Sequence, residues 1–123
     1  MVHNSNVGDG DISGFTVNIG PDYRGRCGIK TITVVNNNGC LGQCLDGINR
    51  AYGNRTGKRE EMCMFSNIDF AKIAQAMGCF GIRVENPGEI SAALKKALQS
   101  ERPAVVDVAT DMNSKAPSPW TPS

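Results

Sequence analysis

The stretch Thr31–Gly42, read as Thr-Ile-Thr-Val-Val-Asn-Asn-Asn-Gly-Cys-Leu-Gly, constrains the fold more than any other part of this chain. The mostly β-branched run from Ile29 to Val35 suits a strand buried on both faces. It stops in three asparagines and a glycine, residue types that tolerate turns and left-handed backbone, so the strand is expected to end near Asn36. In an open parallel α/β sheet, ligands sit just beyond the carboxyl ends of the strands. A row of neutral oxygen donors at that place suits a hard cation or a phosphate group, although an ordinary strand-to-turn transition uses the same residues. Upstream, Gly8-Asp9-Gly10 shifts the balance, because it adds a carboxylate between two glycines that let backbone approach a ligand closely.

A chain of 123 residues makes at most one domain with a modest core. Its 13 basic and 12 acidic residues are interspersed, which argues against a nucleic-acid or polyanion surface. No apolar run approaches ~18 residues and no charged-then-apolar leader opens the chain, so neither a membrane span nor a signal peptide is expected, and the expected location is cytoplasmic. The five cysteines are irregularly spaced with no C-x-x-C pair, and His3 is the single histidine. Reduced thiols, some of them buried, fit this pattern better than a zinc site or a disulfide framework.

Met1–Val7 shows no pattern and reads as a frayed terminus. Two chemistries compete for Gly8–Gly14. Asp9, Asp11, Ser13 and Gly14 fit positions 1, 3, 5 and 6 of an EF-hand calcium loop, but Gly20 stands where the bidentate Glu of position 12 belongs and no amphipathic helix flanks the loop. The other reading makes Asp9 a magnesium ligand beside a diphosphate. Asn18–Gly28 is loop by local rules. Gly39–Asn67, with mixed charge, reads as a solvated connection holding one short helix.

From there the signals are regular. Ile68–Met77 reads as an amphipathic helix with Phe70, Ile73, Ala74 and Met77 on its core face, Ser66 or Asn67 as cap and Gly78 at its end. Phe80–Val84 is a strand. Asn86-Pro87-Gly88-Glu89 opens a helix whose apolar face is Ile90, Ala93, Leu94 and Ala97, and Ala104–Ala109 is a further strand. Alternating strands and helices predict right-handed crossovers and a mainly parallel sheet.

Gly8-Asp9-Gly10, followed 26 residues after Gly10 by Asn36-Asn37, resembles the metal and diphosphate motif of thiamine diphosphate-dependent enzymes. The segments Asp69–Gly78, Gly81–Val84 and Glu101–Val108 are similar to the C-terminal diphosphate-binding domain of the acetolactate synthase-like branch. The resemblance runs from Val7 to Asp111. It implies a three-layer α/β/α fold with a mainly parallel sheet, truncated at its N-terminal side, over residues 1–111, followed by a Pro-rich tail over 112–123. It implies thiamine diphosphate and Mg²⁺ as cofactors and a 2-keto acid as the substrate of the complete enzyme. Asp9, Asn37 and the carbonyl of Gly39 would hold the metal, with Asn36 the alternative to Asn37. Gly8, Gly10, Asp11 and Gly42 would complete the cofactor contacts.

Two departures accompany the match. The family has an amphipathic helix where this chain has Asn18–Arg26. Compensating frame shifts in the coding sequence would explain it, and the coding DNA tests this: codons for Ile19–Gly25 that cannot read Leu-Asp-Arg-Thr-Thr-Ala-Val one base out of frame rule it out. The family's catalytic Glu lies in a domain outside this chain. The resemblance therefore implies a part that is inactive alone and works in a homo-oligomer or with a companion chain carrying the pyrimidine-binding domain.

Overall fold

The computed structural model describes residues 5–9, 30–53 and 55–113. The described residues form four strands, β1 (Ser5–Asp9), β2 (Ile32–Asn37), β3 (Phe80–Val84) and β4 (Ala104–Ala109), and three helices, α1 (Gly42–Tyr52) and α2 (Phe70–Ala76) between β2 and β3, and α3 (Ile90–Gln99) between β3 and β4. Short 3₁₀ turns occupy Arg59–Met62 and Pro87–Glu89. Every pairing is parallel, and the strands lie in the order β1-β2-β4-β3.

This order fixes where the helices go. From β2 the chain moves outward to β3 through α2, then returns through α3 to insert β4 between them. Right-handed crossovers in opposite directions put their helices on opposite faces of the sheet. On one face Phe70 and Ala74 of α2 pack with Val35, Cys79 and Val105. On the other, Ala93 and Ala97 of α3 pack with Val84, Ala104 and Val106, flanked by Ile32 and Val34. The expected α/β/α layering is present around β2, β4 and β3.

Local signals differ from expectation in five places. The strand expected at 29–35 is Ile32–Asn37, because Asn36 and Asn37 stay in the ladder opposite Val108 and Ala109. Residues 5–7, read as frayed, belong to β1, whose backbone is organised by pairing with β2 rather than by its own sequence. The cap of α2 is Asp69, whose carboxylate accepts from Lys72 N at 2.9 Å, and not Ser66 or Asn67. Its buried face is Phe70, Ala71 and Ala74, while Ile73 and Met77 are 38% and 47% exposed. At the start of α3, Asn86 makes no side-chain cap bond, and Pro87 instead opens the 3₁₀ turn that leads into the helix.

The connection after β2 is more ordered than its sequence suggests. It contains the 11-residue helix α1, and both its ends are tied together. Leu41 N donates to Cys63 O and Phe65 N donates to Gly39 O, each at 2.8 Å, around an antiparallel bridge between Cys40 and Met64. Cys40, Cys63 and Cys79 are buried and Cys44 is exposed. Among the described residues no helix is long and apolar enough to cross a membrane. The loop Asn18–Gly28, Cys27 and the tail beyond Asn113 lie outside the described residues.

Candidate functional site at the carboxyl edge of the sheet

The parallel registers assemble one edge. β1 on β2 sets Gly8 beside Val35 and Asp9 beside Asn36. β2 on β4 sets Asn37 beside Ala109, and Thr110 N donates to Asn37 O at 3.0 Å. Asp9, Asn36 and Asn37 thus meet where the strands end, although Asp9 is 28 residues from Asn37 in sequence. An EF-hand loop beginning at Asp9 needs an entering helix, and strand β1 stands in its place. Gly10, Asp11 and Ser13 lie outside the described residues.

Alternation along β2 sends its last two side chains to opposite faces. Asn36 is on the α3 side, and its Oδ1 accepts from the Thr110 hydroxyl at 2.6 Å. Asn37 is on the α2 side and only 8% exposed. Its Nδ2 donates both to the Ile68 carbonyl and to Asp107 Oδ1, each at 2.9 Å. Both partners are acceptors, so the amide nitrogen must face them. The amide oxygen is turned off that side.

The turn beyond β2 is built by glycine and an Asx contact. Asn38 Oδ1 accepts from Cys40 N at 3.1 Å, and Gly39 takes φ +69°, where a side chain would be strained. Gly39 O accepts from Phe65 N, which uses one of its two lone pairs. At the first position of α1, a Cβ on Gly42 would stand 3.0 Å from Asn38 Nδ2. Asn37, Gly39 and Gly42 therefore form one continuous rim, with Asp9 beside it on β1.

Beneath the rim lies a charged network. Asp107, in the middle of β4, is 0% exposed. Besides Asn37 it accepts from Phe70 N at 3.0 Å and from an Arg83 guanidinium nitrogen at 2.9 Å. Arg83 also pairs with Glu85 through Nε at 3.2 Å. Burial alone would pull the Arg83 pKa down, but the hydrogen bonds and charges of Glu85 and Asp107 outweigh it and hold the guanidinium more firmly charged. A buried carboxylate is costly unless its lone pairs are satisfied, and here three donors satisfy them.

Sequence reasoning did not single out Asp107, Arg83 or the Ile68 carbonyl. A signal was present: Asp107 is the only charged residue in Ala104–Ala109, and it shares its strand face with Val105. A charge in a parallel strand buried on both faces must have partners. Among the described residues no three His, Cys, Asp or Glu gather as metal ligands usually do. The donors at the rim are an amide oxygen and a backbone carbonyl, the hard neutral oxygens that Mg²⁺ accepts alongside carboxylate and phosphate.

Residues 5–108 match the family described as thiamine pyrophosphate enzyme, C-terminal TPP binding domain. The "Probable acetolactate synthase large subunit" of Methanococcus aeolicus is 33% identical over 87 residues, covering 70% of this chain and 14% of that protein. The acetolactate synthase of Bacillus subtilis is 38% identical over 47 residues, 38% of this chain and 8% of that protein. Among solved structures, the thiamine diphosphate-dependent 4-hydroxybenzoylformate decarboxylase of Rhodococcus jostii superposes with a TM-score of 0.71 at 21% identity, covering 89% of this chain and 20% of that one. The benzoylformate decarboxylase of Polynucleobacter necessarius gives 0.69 at 18% identity, with 90% and 20% covered. At such identities these two establish the fold alone. The chain spans a seventh or less of the length of the two acetolactate synthase relatives.

Proposed function

We infer the function of this chain from its membership: it belongs to the C-terminal TPP-binding domains of thiamine pyrophosphate enzymes, on the acetolactate synthase-like branch. We propose that its carboxyl edge holds the diphosphate of thiamine diphosphate through Mg²⁺, within an enzyme that decarboxylates 2-keto acids and transfers the acyl carbanion equivalent. The observation that carries this reading is the β1–β2 register, which brings Asp9 level with Asn36 and next to the Asn37–Gly39 turn.

Asp9 would give a carboxylate oxygen, Asn37 its amide oxygen and Gly39 its carbonyl, leaving further octahedral positions for diphosphate oxygens. Asn37 is preferred over Asn36 because its amide nitrogen is fixed against Ile68 O and Asp107 Oδ1, which turns its oxygen away from them, whereas one lone pair of the Asn36 oxygen is taken by the Thr110 hydroxyl. Gly8, Gly10 and Asp11 would lie against the diphosphate through backbone, and Gly42 would bring the start of α1 close to it. Bound thiamine supplies the carbanion stabilisation, and the protein supplies orientation. The chain on this reading is the cofactor-holding domain over residues 1–111 with a tail over 112–123. It works with a pyrimidine-binding domain from another part of the protein, a second copy or a companion chain, and does not turn over substrate alone. The location proposed is cytoplasmic.

Titrating single alanine variants with thiamine diphosphate and Mg²⁺ tests the assignment. Asp9→Ala should abolish the magnesium-dependent binding and Asn37→Ala should shift it to much higher Mg²⁺ concentration, while Ser13→Ala should leave it intact. Ca²⁺ binding that is lost in Asp11→Ala and Ser13→Ala, with no response to thiamine diphosphate, would overturn the assignment in favour of a calcium module.

A further inference from the structure

We propose that Asp107 is a positioning residue for the metal end of the site and acts through Asn37. The inference rests on the cofactor reading above and adds a residue to it. A fully buried carboxylate in a strand of valines and alanines is an expensive way to fill a core, and an aliphatic side chain would avoid its desolvation. What the carboxylate holds gives it a purpose. Oδ1 takes the Asn37 amide, and Oδ2 takes Phe70 N and Arg83. The two bonds on Oδ2 stop the carboxylate from rotating, and Glu85 holds Arg83 from its far side.

The consequence for Asn37 is orientation. With its nitrogen against Asp107 and Ile68 O, a flipped amide would put oxygen against two acceptors. Asp107 therefore decides which atom of Asn37 faces away from these acceptors, and for a magnesium ligand that atom must be oxygen. Donation to a charged acceptor also polarises the amide, which makes its oxygen a better ligand. The chain of contacts runs Glu85, Arg83, Asp107, Asn37, from an exposed carboxylate to the rim.

The test is the Mg²⁺ concentration needed to half-saturate the 123-residue chain with thiamine diphosphate, measured at a temperature where circular dichroism shows every variant folded. Asp107→Asn should raise that concentration by on the order of 10–100-fold, the usual effect of losing a partner that orients a ligand. In the Asn37→Ala background the same substitution should add no further shift, because its route is gone. A merely structural Asp107 would lower the melting temperature and leave the magnesium requirement of the folded protein unchanged, which would overturn the proposal. A full additional shift on top of Asn37→Ala would overturn it as well. Should Asp107→Asn fail to fold, Arg83→Gln, at a partly exposed position, should shift the requirement in the same direction by less, and no shift overturns the proposal. A second readout needs no cofactor. The Asn37 side-chain amide protons should exchange slowly in the unsubstituted chain and quickly in Asp107→Asn or Arg83→Gln. Fast exchange in the unsubstituted chain refutes the positioning role, whereas slow exchange without magnesium-dependent binding refutes the cofactor reading on which it rests.

Discussion

Gly81 offers the sharpest test of how α2 sits on the sheet. A Cβ built there would stand 2.1 Å from the Ala71 carbonyl oxygen, 2.9 Å from its carbonyl carbon and 3.1 Å from its Cα. These are backbone atoms of the helix, so no side-chain rotation relieves the overlap. Non-bonded heavy atoms settle at about 3.5–4.0 Å, so α2 must retreat by roughly 1 Å or more. A gap of about 0.5–1 Å already forfeits a quarter to a half of a dispersion contact. The retreat would loosen Phe70 and Ala74 from Val35 and Val105, and would stretch the 2.8 Å bond from Gln75 Nε2 to Gly81 O. Overpacking typically costs 1–3 kcal/mol. Because backbone is struck, Gly81→Ala should reach the upper end, about 3 kcal/mol, against a gain of roughly 0.4–1 kcal/mol from the stiffer unfolded chain. Urea unfolding followed by circular dichroism should show a lower midpoint with an unchanged slope. Gly88→Ala, where nothing lies within 4 Å, is the control and should change stability by no more than about 0.5 kcal/mol. A Gly81→Ala chain as stable as the unsubstituted one would refute the close approach of α2 to β3.

Other expectations follow from the caps and thiols. Burial alone would raise the Asp69 carboxyl, but its bonds to Lys72 outweigh this and hold it below its ordinary 3.8. A carboxyl depressed by folding stabilises above its unfolded pKa, and that contribution is lost as pH falls through the folded one. Asp69→Ala should therefore cost about 1 kcal/mol at pH 7, with the gap to the unsubstituted chain narrowing below pH 3.8 in denaturant titrations. Burial pushes the Cys79 thiol up, only partly offset by the Arg102 charge, whereas Cys44 is exposed. Iodoacetamide at neutral pH followed by peptide mass mapping should find Cys44 modified well before Cys79, and the reverse order would contradict the burial of Cys79.

The parts of the fold that could be read from sequence are those whose signals are local. Pro87 before an Ala- and Leu-rich helix and the valine-rich β4 carry their own pattern, and both elements stand where expected. Ser5–Asp9 could not be read this way, because Ser-Asn-Val-Gly-Asp becomes a strand only through its ladder with β2. Periodicity does not fix the rotation of α2, because seven residues make about two turns, too few to separate a face at Phe70, Ala71 and Ala74 from one including Ile73 and Met77. For the site, the Gly-Asp-Gly and asparagine motifs pointed to the edge that the registers assemble. The network below it was hidden, because Asp107, Arg83 and Asn37 come from three strands and meet only through the β2-β4-β3 order.

The central claim is that this edge takes thiamine diphosphate through magnesium. Isothermal titration of the folded chain with thiamine diphosphate, once in Mg²⁺ and once in EDTA, tests it most directly. Saturable one-site binding in Mg²⁺ that vanishes in EDTA is the predicted result. No binding by a folded sample, or binding indifferent to the metal, would contradict it.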